Sequence, residues 1–429
     1  MAPKSVPVPM ITRVRLKNFR SIAECDVELG PLTILVGPNG SGKSNFVRAL
    51  DFISDAVSNG LDAAVSRGGG MFSLLSRWAL DVPDVTLEIA IEFSLDQGRH
   101  GAYAISLRRA KSSSYKIVEE CCTVTSGSAA QSLEQFVING EKREWSNTRG
   151  YVQPLPDLGS GALTLPHHAD HVHVGAVYRA LRGIASYSLH VSAMRRPQEP
   201  DGRDRLASDG ANIAAILDLM AENNEHGWSP AQQVADWLGV VTPGIVAVRS
   251  TNVAGYQALQ FEQRRNDGAP PWTFTAGEMS YGTLRTLGVL VALYQGSTSG
   301  GAPVTLVGIE EPETAVHPGA ATAILEAMDE ASLTTQVLAT SHSVTMLDYE
   351  DLDLGILRAA AVENGRTVIG PVDVRNRRVI REGLYTAGEL FGCGDSRRME
   401  RSIDGRPTNS LRRGHERFPS HSLGRRRRG

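Results

Sequence analysis

The sequence is poor in features that define several classes of protein. It has four cysteines in 429 residues, none of them in a C-x-x-C pair, so no disulfide framework is indicated. No apolar run approaches the roughly 20 residues that a membrane-spanning helix needs. Residues 1–10 lack the apolar segment of a signal peptide. These absences predict a cytoplasmic protein that does not associate with a membrane.

A large net charge of one sign is also missing, since the formal net charge is −3. The near balance hides an asymmetry, because residues 396–429 contain eleven Arg and carry about +8, which leaves about −11 for the rest. Helical and strand periodicity also stops before this segment. We therefore predict a folded unit at 1–395 and an Arg-rich tail at 396–429 that is either disordered or an aberrant end.

Alternating strand and helix patterns are present at both ends of the folded unit. Leu32–Val36 and Val304–Ile309 are apolar apart from one Thr each, which is typical of strands buried on both faces of a sheet. Between them, residues 84–145 alternate like an antiparallel meander, and residues 146–270 read as an insertion of short helices and loops. The pattern predicts an α/β fold with a mixed sheet, an antiparallel β lobe and a helical insertion.

A phosphate-binding motif directly follows the first buried strand. It matches G-x-x-x-x-G-K-[ST] in full. Its glycines let backbone N–H groups turn towards a phosphate, and the following helix adds the positive end of its dipole. Lys43 is expected to reach the β- and γ-phosphates, and the Ser44 hydroxyl to bind Mg²⁺. The motif consists of Gly37, Pro38, Asn39, Gly40, Ser41, Gly42, Lys43 and Ser44, and Asn45 continues it into the helix.

Acidic residues follow the second buried strand. Glu310 is predicted to hold the metal and Glu311 to polarise the attacking water, although two acidic residues also suit the first turn of a helix. His342 follows a third strand and is a candidate for sensing the γ-phosphate; a single His is otherwise more often structural. Ser280 and Gly282 open a helix and form a second possible anion-binding end.

Five segments, taken in order, resemble the SMC/RecF/OLD branch of ABC-type ATPases. Within that branch they are most similar to the RecF-like AAA-type ATPases of bacterial phage-defence operons. The resemblance covers about residues 11–395. The segments are ITRVRLKNFRSI at 11–22, GPNGSGKSN at 37–45, MSYGTLR at 279–285, VGIEEPETAVHP at 307–318 and ATSHS at 339–343.

The resemblance implies an ABC-type ATPase head that uses ATP and Mg²⁺. It also implies a homodimer or higher oligomer, in which the signature segment of one subunit caps the ATP bound by the other. Glu310 stands where this family normally has Asp. The implied roles are Asn39 on the γ-phosphate side, Ser280–Arg285 as signature, Glu310 as metal residue, Glu311 as catalytic glutamate, Thr314–Pro318 as D-loop and His342 as switch histidine.

Three further features are candidates for functional sites: the Q-loop, a histidine-rich segment and an Asp-x-Asp pair. The Q-loop is not identified, and Gln97 is more simply read as a solvated loop residue. The histidines of the segment HHADHVH at 167–173 have no Cys or paired Glu beside them, which argues against a metal site. An Asp-x-Asp pair at Asp351 and Asp353 precedes a predicted strand at Leu354–Ala359, so we read it as a solvated turn and expect no nuclease in this chain.

The function predicted from these features is an ATP-driven switch that regulates a DNA-directed or toxic effector, with a role in anti-phage defence. A co-encoded nuclease or toxin is the expected partner, and DNA is a possible one. The alternatives are a RecF-like DNA-repair ATPase and the ATPase subunit of a transporter. The early KNFRS segment and the EEPE–HP series argue against the transporter.

Overall fold

A computed structural model describes most of the chain. The described residues are 9–110, 115–126, 131–140, 142–147, 150–159, 161–223, 229–297, 303–348, 352–373, 378 and 380. The predicted tail at 396–429 and Asp351 of the Asp-x-Asp pair lie outside them. Asp353 is described, and its carboxylate accepts a hydrogen bond from the Gly355 N–H at 2.8 Å, which begins a 3-10 turn.

Within the described residues, fourteen strands form one mixed sheet and three form a second. The strands of the large sheet are β1 Met10–Phe19, β2 Ile22–Glu28, β3 Leu32–Val36, β4 Thr86–Ser94, β5 Arg99–Arg109, β6 Tyr115–Ser126, β7 Gln131–Asn139, β8 Lys142–Asn147, β9 Val152–Pro154, β10 Ile184–Tyr187, β14 Leu306–Glu310, β15 Gln336–Ser341, β16 Leu357–Glu363 and β17 Arg366–Pro371. The small antiparallel sheet holds β11 Ile245–Val253, β12 Tyr256–Gln263 and β13 Trp272–Thr275.

The large sheet has a parallel half and an antiparallel half. Its order is β10-β14-β15-β3-β16-β17-β2-β1-β4-β5-β6-β7-β8-β9. The first five strands are mutually parallel, so their carboxyl ends meet along one edge of the sheet. Ligand sites in parallel sheets form at this edge. The P-loop, the two glutamates and the predicted histidine all follow strands that end here.

Helices cover both faces of the parallel half. They are α1 Lys43–Asn59, α2 Leu61–Arg67, α3 Met71–Leu74, α4 Val174–Arg182, α5 Val191–Met194, α6 Ile213–Glu222, α7 Pro230–Val241, α8 Tyr281–Tyr294, α9 Pro318–Ala331 and α10 Val344–Leu347. Ile34 and Val36 of β3 pack into the core that holds α6 to α9, whereas Leu35 packs into the core that holds α1 and α4. This strand is therefore buried on both faces, as its apolar sequence predicts.

The observed α/β fold confirms the predicted fold class. Besides short helices and loops, the segment 146–270 contains β9 and β10, which join the large sheet, and β11 and β12 of the small sheet. Helix α4 ends at Arg182 with Gly183 as its C-cap, and the chain enters β10 at Ile184.

The last parallel strand also begins later than predicted. The sequence indicated a strand at Leu354–Ala359, but residues 354–356 form the 3-10 turn that Asp353 begins, and β16 starts at Leu357. Among the described helices, none combines the length and the apolar character that crossing a bilayer requires.

Candidate functional site

The P-loop connects β3 to α1 and encloses its own lysine. Gly42 caps α1 in a left-handed conformation with φ of 99°, which glycine adopts without strain. The Lys43 ammonium is buried and donates to the carbonyl oxygens of Gly37 at 2.7 Å and Pro38 at 3.1 Å. Burial lowers the pKa of Lys43, while the nearby glutamates 311, 313 and 310 oppose this effect. A cationic group thus lies within the loop where the motif predicts a phosphate.

Strands β16 and β17 pack directly against the P-loop glycines. A Cβ atom at Gly37 would overlap the carbonyl oxygen of Ala360 on β16, and one at Gly42 would overlap the Thr367 hydroxyl on β17. Thr367 also donates to the Ser21 hydroxyl at 2.7 Å, which in turn accepts from the Asn45 amide at 2.7 Å. Sequence reasoning missed this support, because Ser21 and Thr367 are ordinary polar residues in strand patterns.

Replacing Gly37 by Ala is expected to damage the phosphate cradle. The new methyl group meets a strand carbonyl inside the sheet, and overpacking of this kind costs about 1–3 kcal/mol. We expect a lower melting temperature and a loss of ATP affinity of about tenfold, since 1.4 kcal/mol corresponds to that factor. Gly60→Ala is the matched control, because Gly60 lies outside the motif and has φ of 93° but nothing lies within 4 Å of its Cβ position. Equal ATP affinities in the two variants would contradict the proposed support.

The predicted magnesium residues meet although they are far apart in sequence. Glu310 is the last residue of β14, and its Oε2 accepts a hydrogen bond from the Ser44 hydroxyl at 3.1 Å. A hydroxyl and a carboxylate are oxygen ligands of the kind that Mg²⁺ prefers. These two residues therefore fit a magnesium ion.

Glu311 follows immediately in an uncommon backbone conformation. Its φ is 47°, in the left-handed region, where a residue with a side chain is strained. Its N–H donates to the Thr340 carbonyl at 3.0 Å, and its Oε2 accepts from the Thr314 hydroxyl at 3.2 Å. The His342 Nδ1 lies 3.1 Å from the Glu311 Oε1, within ion-pair distance but without the alignment of a hydrogen bond. The structure thus brings together the two residues that were predicted to be catalytic.

Arg285 connects the helix after Ser280 to the end of the acidic strand, and this role was not foreseen. Its guanidinium is buried and donates to the carbonyl oxygens of Glu310 at 2.7 Å and Glu311 at 3.2 Å. It also donates to the Leu189 carbonyl, just beyond β10. Burial lowers the pKa of Arg285. One side chain therefore holds three backbone positions at the edge where the predicted catalytic residues lie.

Replacing Arg285 by Lys should loosen this edge. A single ammonium cannot span the three carbonyl groups that the planar guanidinium reaches. Because a hydrogen bond to a charged group contributes about 1.5–3 kcal/mol, we expect destabilisation by about 2 kcal/mol. Displacement of Glu311 should also lower ATP turnover about tenfold. Thermal melting and steady-state turnover test this, with Arg249→Lys on the exposed surface of β11 as the matched control. Wild-type values for Arg285→Lys would contradict the assignment.

Ser280 and Gly282 lie at the start of α8. Ser280 caps α8, and its hydroxyl accepts from the Thr283 N–H at 3.1 Å. Gly282 packs against Ala315, whose carbonyl oxygen a Cβ at Gly282 would approach to 2.8 Å. Within the described residues neither makes a hydrogen bond to residues 37–45. Ser280 and Ala315 are exposed, so the predicted signature and D-loop share one solvent-facing surface.

The remaining candidates lie elsewhere. Gln97 sits in a turn after β4, at the end of the lobe where Ser94 pairs with Met10. The turn after the other end of β1 holds Ser21, which contacts Asn45, and a ten-residue strand is about 30 Å long. In the histidine segment, His171 lies 2.9 Å from Glu134, and the described residues contain no group of three His, Cys, Asp or Glu that could hold a metal.

Two protein-family models match the chain. Residues 10–152 match the family described as "AAA ATPase domain", and residues 187–348 match the one described as "AAA domain, putative AbiEii toxin, Type IV TA system". The first match contains the P-loop, and the second contains the acidic strand and His342.

Curated relatives match only in part. The OLD nuclease of Thermus scotoductus is 50% identical over 44 residues, which are 10% of this chain and 8% of the relative. RecF of Corynebacterium jeikeium, a DNA replication and repair protein, is 39% identical over 74 residues, 17% of each chain. Structural maintenance of chromosomes protein 1 of Schizosaccharomyces pombe is 26% identical over 140 residues, 30% of this chain and 11% of the relative. The chain thus spans less than a fifth of the length of each relative.

Solved structures resemble the fold over most of the chain. An SMC head bound to the C-terminal winged-helix domain of ScpA superposes with a TM-score of 0.52 at 14% identity, covering 86% of this chain and 99% of that one. The SMC head with an extended coiled coil from Pyrococcus furiosus, bound to the C-terminal domain of ScpA, gives 0.52 at 11% identity, covering 88% and 100%. At these identities the likeness concerns the fold.

Proposed function

We propose that the chain is an ATPase of the SMC/RecF/OLD type and acts as a switch that binds ATP with Mg²⁺, dimerises head to head around the nucleotide and reopens after hydrolysis. The observation that carries this proposal is the meeting of the P-loop and the acidic strand. Ser44 contacts Glu310 at 3.1 Å, and Glu311 and His342 lie at the same sheet edge. A structural role alone does not require these groups to converge.

The proposed chemistry divides the work among named side chains. Lys43 and the N-terminus of α1 bind the phosphates, and Ser44 with Glu310 holds the metal. Mg²⁺ supplies positive charge that offsets the charge developing on the phosphate oxygens. Glu311 accepts a proton from the attacking water, and His342 beside it donates towards the γ-phosphate. The strained backbone at Glu311 supports this role, because such strain is concentrated at functional sites.

The surface that holds Ser280 is the proposed dimer interface. The N-terminus of the 14-residue helix α8 is an exposed end of the kind that can bind anions. A second copy brings such an end to the nucleotide, with Thr314 and Ala315 beside it. Two copies related by a twofold axis then complete two equivalent sites.

The partner of the switch is a further part of the proposal. The match of residues 187–348 to a family described by a toxin and a type IV TA system favours a toxic effector in defence. The matches to RecF favour DNA repair as the second candidate. Co-purification with neighbouring gene products, with and without ATP, separates them. An ATP-dependent nuclease or toxin partner supports defence, whereas ATP-dependent DNA binding without such a partner supports the RecF-like role.

The test of the proposed activity is direct. The purified chain should release phosphate from ATP with Mg²⁺ and double its mass by light scattering when a non-hydrolysable ATP analogue is added. Lys43→Ala should do neither, because the phosphates lose their main cationic ligand. Phosphate release that is equal in Lys43→Ala and the wild type would show that the activity belongs to a contaminant, and the proposal would fail.

A further inference from the structure

Glu313 is a buried carboxyl group that the proposed chemistry leaves unused. It lies two residues after Glu311 and is 7% exposed. Its Oε1 accepts a hydrogen bond from the Ser341 hydroxyl at 2.5 Å, across 28 positions of the chain. In the described part of the structure its other oxygen, Oε2, has no hydrogen-bond partner. A buried carboxyl group with one unused oxygen is costly, so this group requires a reason.

The Ser341 hydroxyl, which donates to Glu313, also fixes the backbone of residues 341–343. Ser341 is the last residue of β15 and is fully buried, and its Oγ accepts a hydrogen bond from the Ser343 N–H at 3.1 Å. Because this oxygen already accepts from Ser343, its one proton is free to point towards Glu313. The residue enclosed between these two serines is His342. The hydrogen bonds of Ser341 therefore define the backbone on both sides of the predicted switch histidine.

The segments 311–313 and 341–343 are thus joined at two points. Glu311 meets the ring of His342 at 3.1 Å, and Glu313 meets the hydroxyl of the preceding residue. Pro312 lies between the two glutamates and restricts the backbone that carries them. A shift of Ser341 would therefore move His342 relative to Glu311. Burial raises the pKa of Glu313. An amide of the same shape keeps an oxygen that can accept from Ser341.

We propose that Glu313, acting through Ser341, is a positioning residue that sets the place of His342 against Glu311. The role deepens the proposed ATPase function and rests on it. Glu313 itself touches neither the nucleotide nor the metal in this scheme. Its contribution is to align the proton acceptor and the γ-phosphate sensor, for which a displacement of about 1 Å can cost about a hundredfold in rate.

Steady-state ATP turnover and nucleotide binding test the role. Glu313→Ala and Ser341→Ala should each lower kcat about 10- to 100-fold, with the KM for ATP changed less than about threefold. Glu313→Gln should restore kcat to within about threefold of wild type, because its amide oxygen still accepts from Ser341. Ser332→Ala is the matched control, since Ser332 is buried and donates to the Asp329 carbonyl at 2.7 Å on α9. Its kcat should stay close to wild type.

Two outcomes would overturn the proposal. One is a wild-type kcat in Ser341→Ala. The other is a double variant, Glu313→Ala with His342→Ala, whose loss in kcat equals the product of the two single losses. Residues that act as a unit do not give independent losses. If Glu313→Ala fails to fold, Glu313→Gln and Ser341→Ala still decide between the roles.

A measurement without nucleotide separates this inference from the proposed activity. In protein with isotope-labelled histidine, the NMR signals of the His342 ring are identified by their absence in His342→Gln. These signals should shift in Ser341→Ala and keep their wild-type positions in Glu313→Gln. If the wild type hydrolyses no ATP, the proposed function fails while these signals still report the positioning. If the wild type turns over ATP and the signals do not respond to Ser341→Ala, the positioning role alone fails.

Discussion

Replacing Glu311 by Gln is expected to stop ATP hydrolysis while ATP binding persists. The amide keeps the shape of the side chain and can still accept from the Thr314 hydroxyl, but it cannot take a proton from water. Loss of a general base of this kind lowers the rate about 10²- to 10⁴-fold. Phosphate release and the binding of a fluorescent ATP analogue measure the two properties separately.

The same variant should accumulate closed dimers with ordinary ATP, because the step that reopens the dimer is blocked. Size-exclusion chromatography with light scattering detects this species. Glu222→Gln is the matched control, since Glu222 is exposed at the end of α6 and carries the same change. Turnover in Glu311→Gln at the rate of the Glu222→Gln control would remove Glu311 from the role of base.

Replacing Ser280 by Arg is expected to abolish ATP-driven dimerisation and leave ATP binding by the monomer intact. Ser280 is exposed at the start of α8, and within the described residues its hydroxyl forms hydrogen bonds with Thr283. A long cationic side chain would fill the space that the proposal gives to the γ-phosphate of the partner. Light scattering with a non-hydrolysable analogue should show monomers only.

A matched control isolates the interface from the helix cap. Ser229 caps α7 in the same way, with its hydroxyl accepting from the Gln232 N–H at 3.2 Å. Ser229→Arg loses the same kind of cap, which costs about 1 kcal/mol, without touching the proposed interface. It should dimerise normally. Dimers of wild-type affinity in Ser280→Arg would refute the signature assignment, and loss of dimers in both variants would assign the effect to the helix cap.

The charge asymmetry of the chain also has a consequence for experiments. The body that excludes residues 396–429 carries about −11, so non-specific DNA binding by this body alone is disfavoured. Salt dependence of any DNA binding therefore reports which basic residues are involved, because each neutralised phosphate adds to the slope. A steep slope that vanishes on removal of 396–429 would assign the contact to that segment.

The sequence alone was sufficient for the P-loop, the buried strands and the class of fold. These features are local: eight consecutive residues form the cradle, and a five-residue run with four apolar residues predicts a strand buried on both faces. It also indicated that Glu310, Glu311 and His342 share an edge, because each follows an apolar strand in a strand–helix alternation. Their chemical roles stay predictions.

Only the tertiary structure decided which of these groups touch. Ser44 and Glu310 are 266 positions apart, and Glu313 and Ser341 are 28 apart. Such contacts depend on the order of strands in the sheet, and hydrophobic periodicity carries no information about that order. The same reason explains why β10, only four residues long, and the role of Arg285 escaped sequence analysis. A motif of consecutive residues carries its own geometry, whereas a contact across the sheet exists only once β3, β14 and β15 lie side by side.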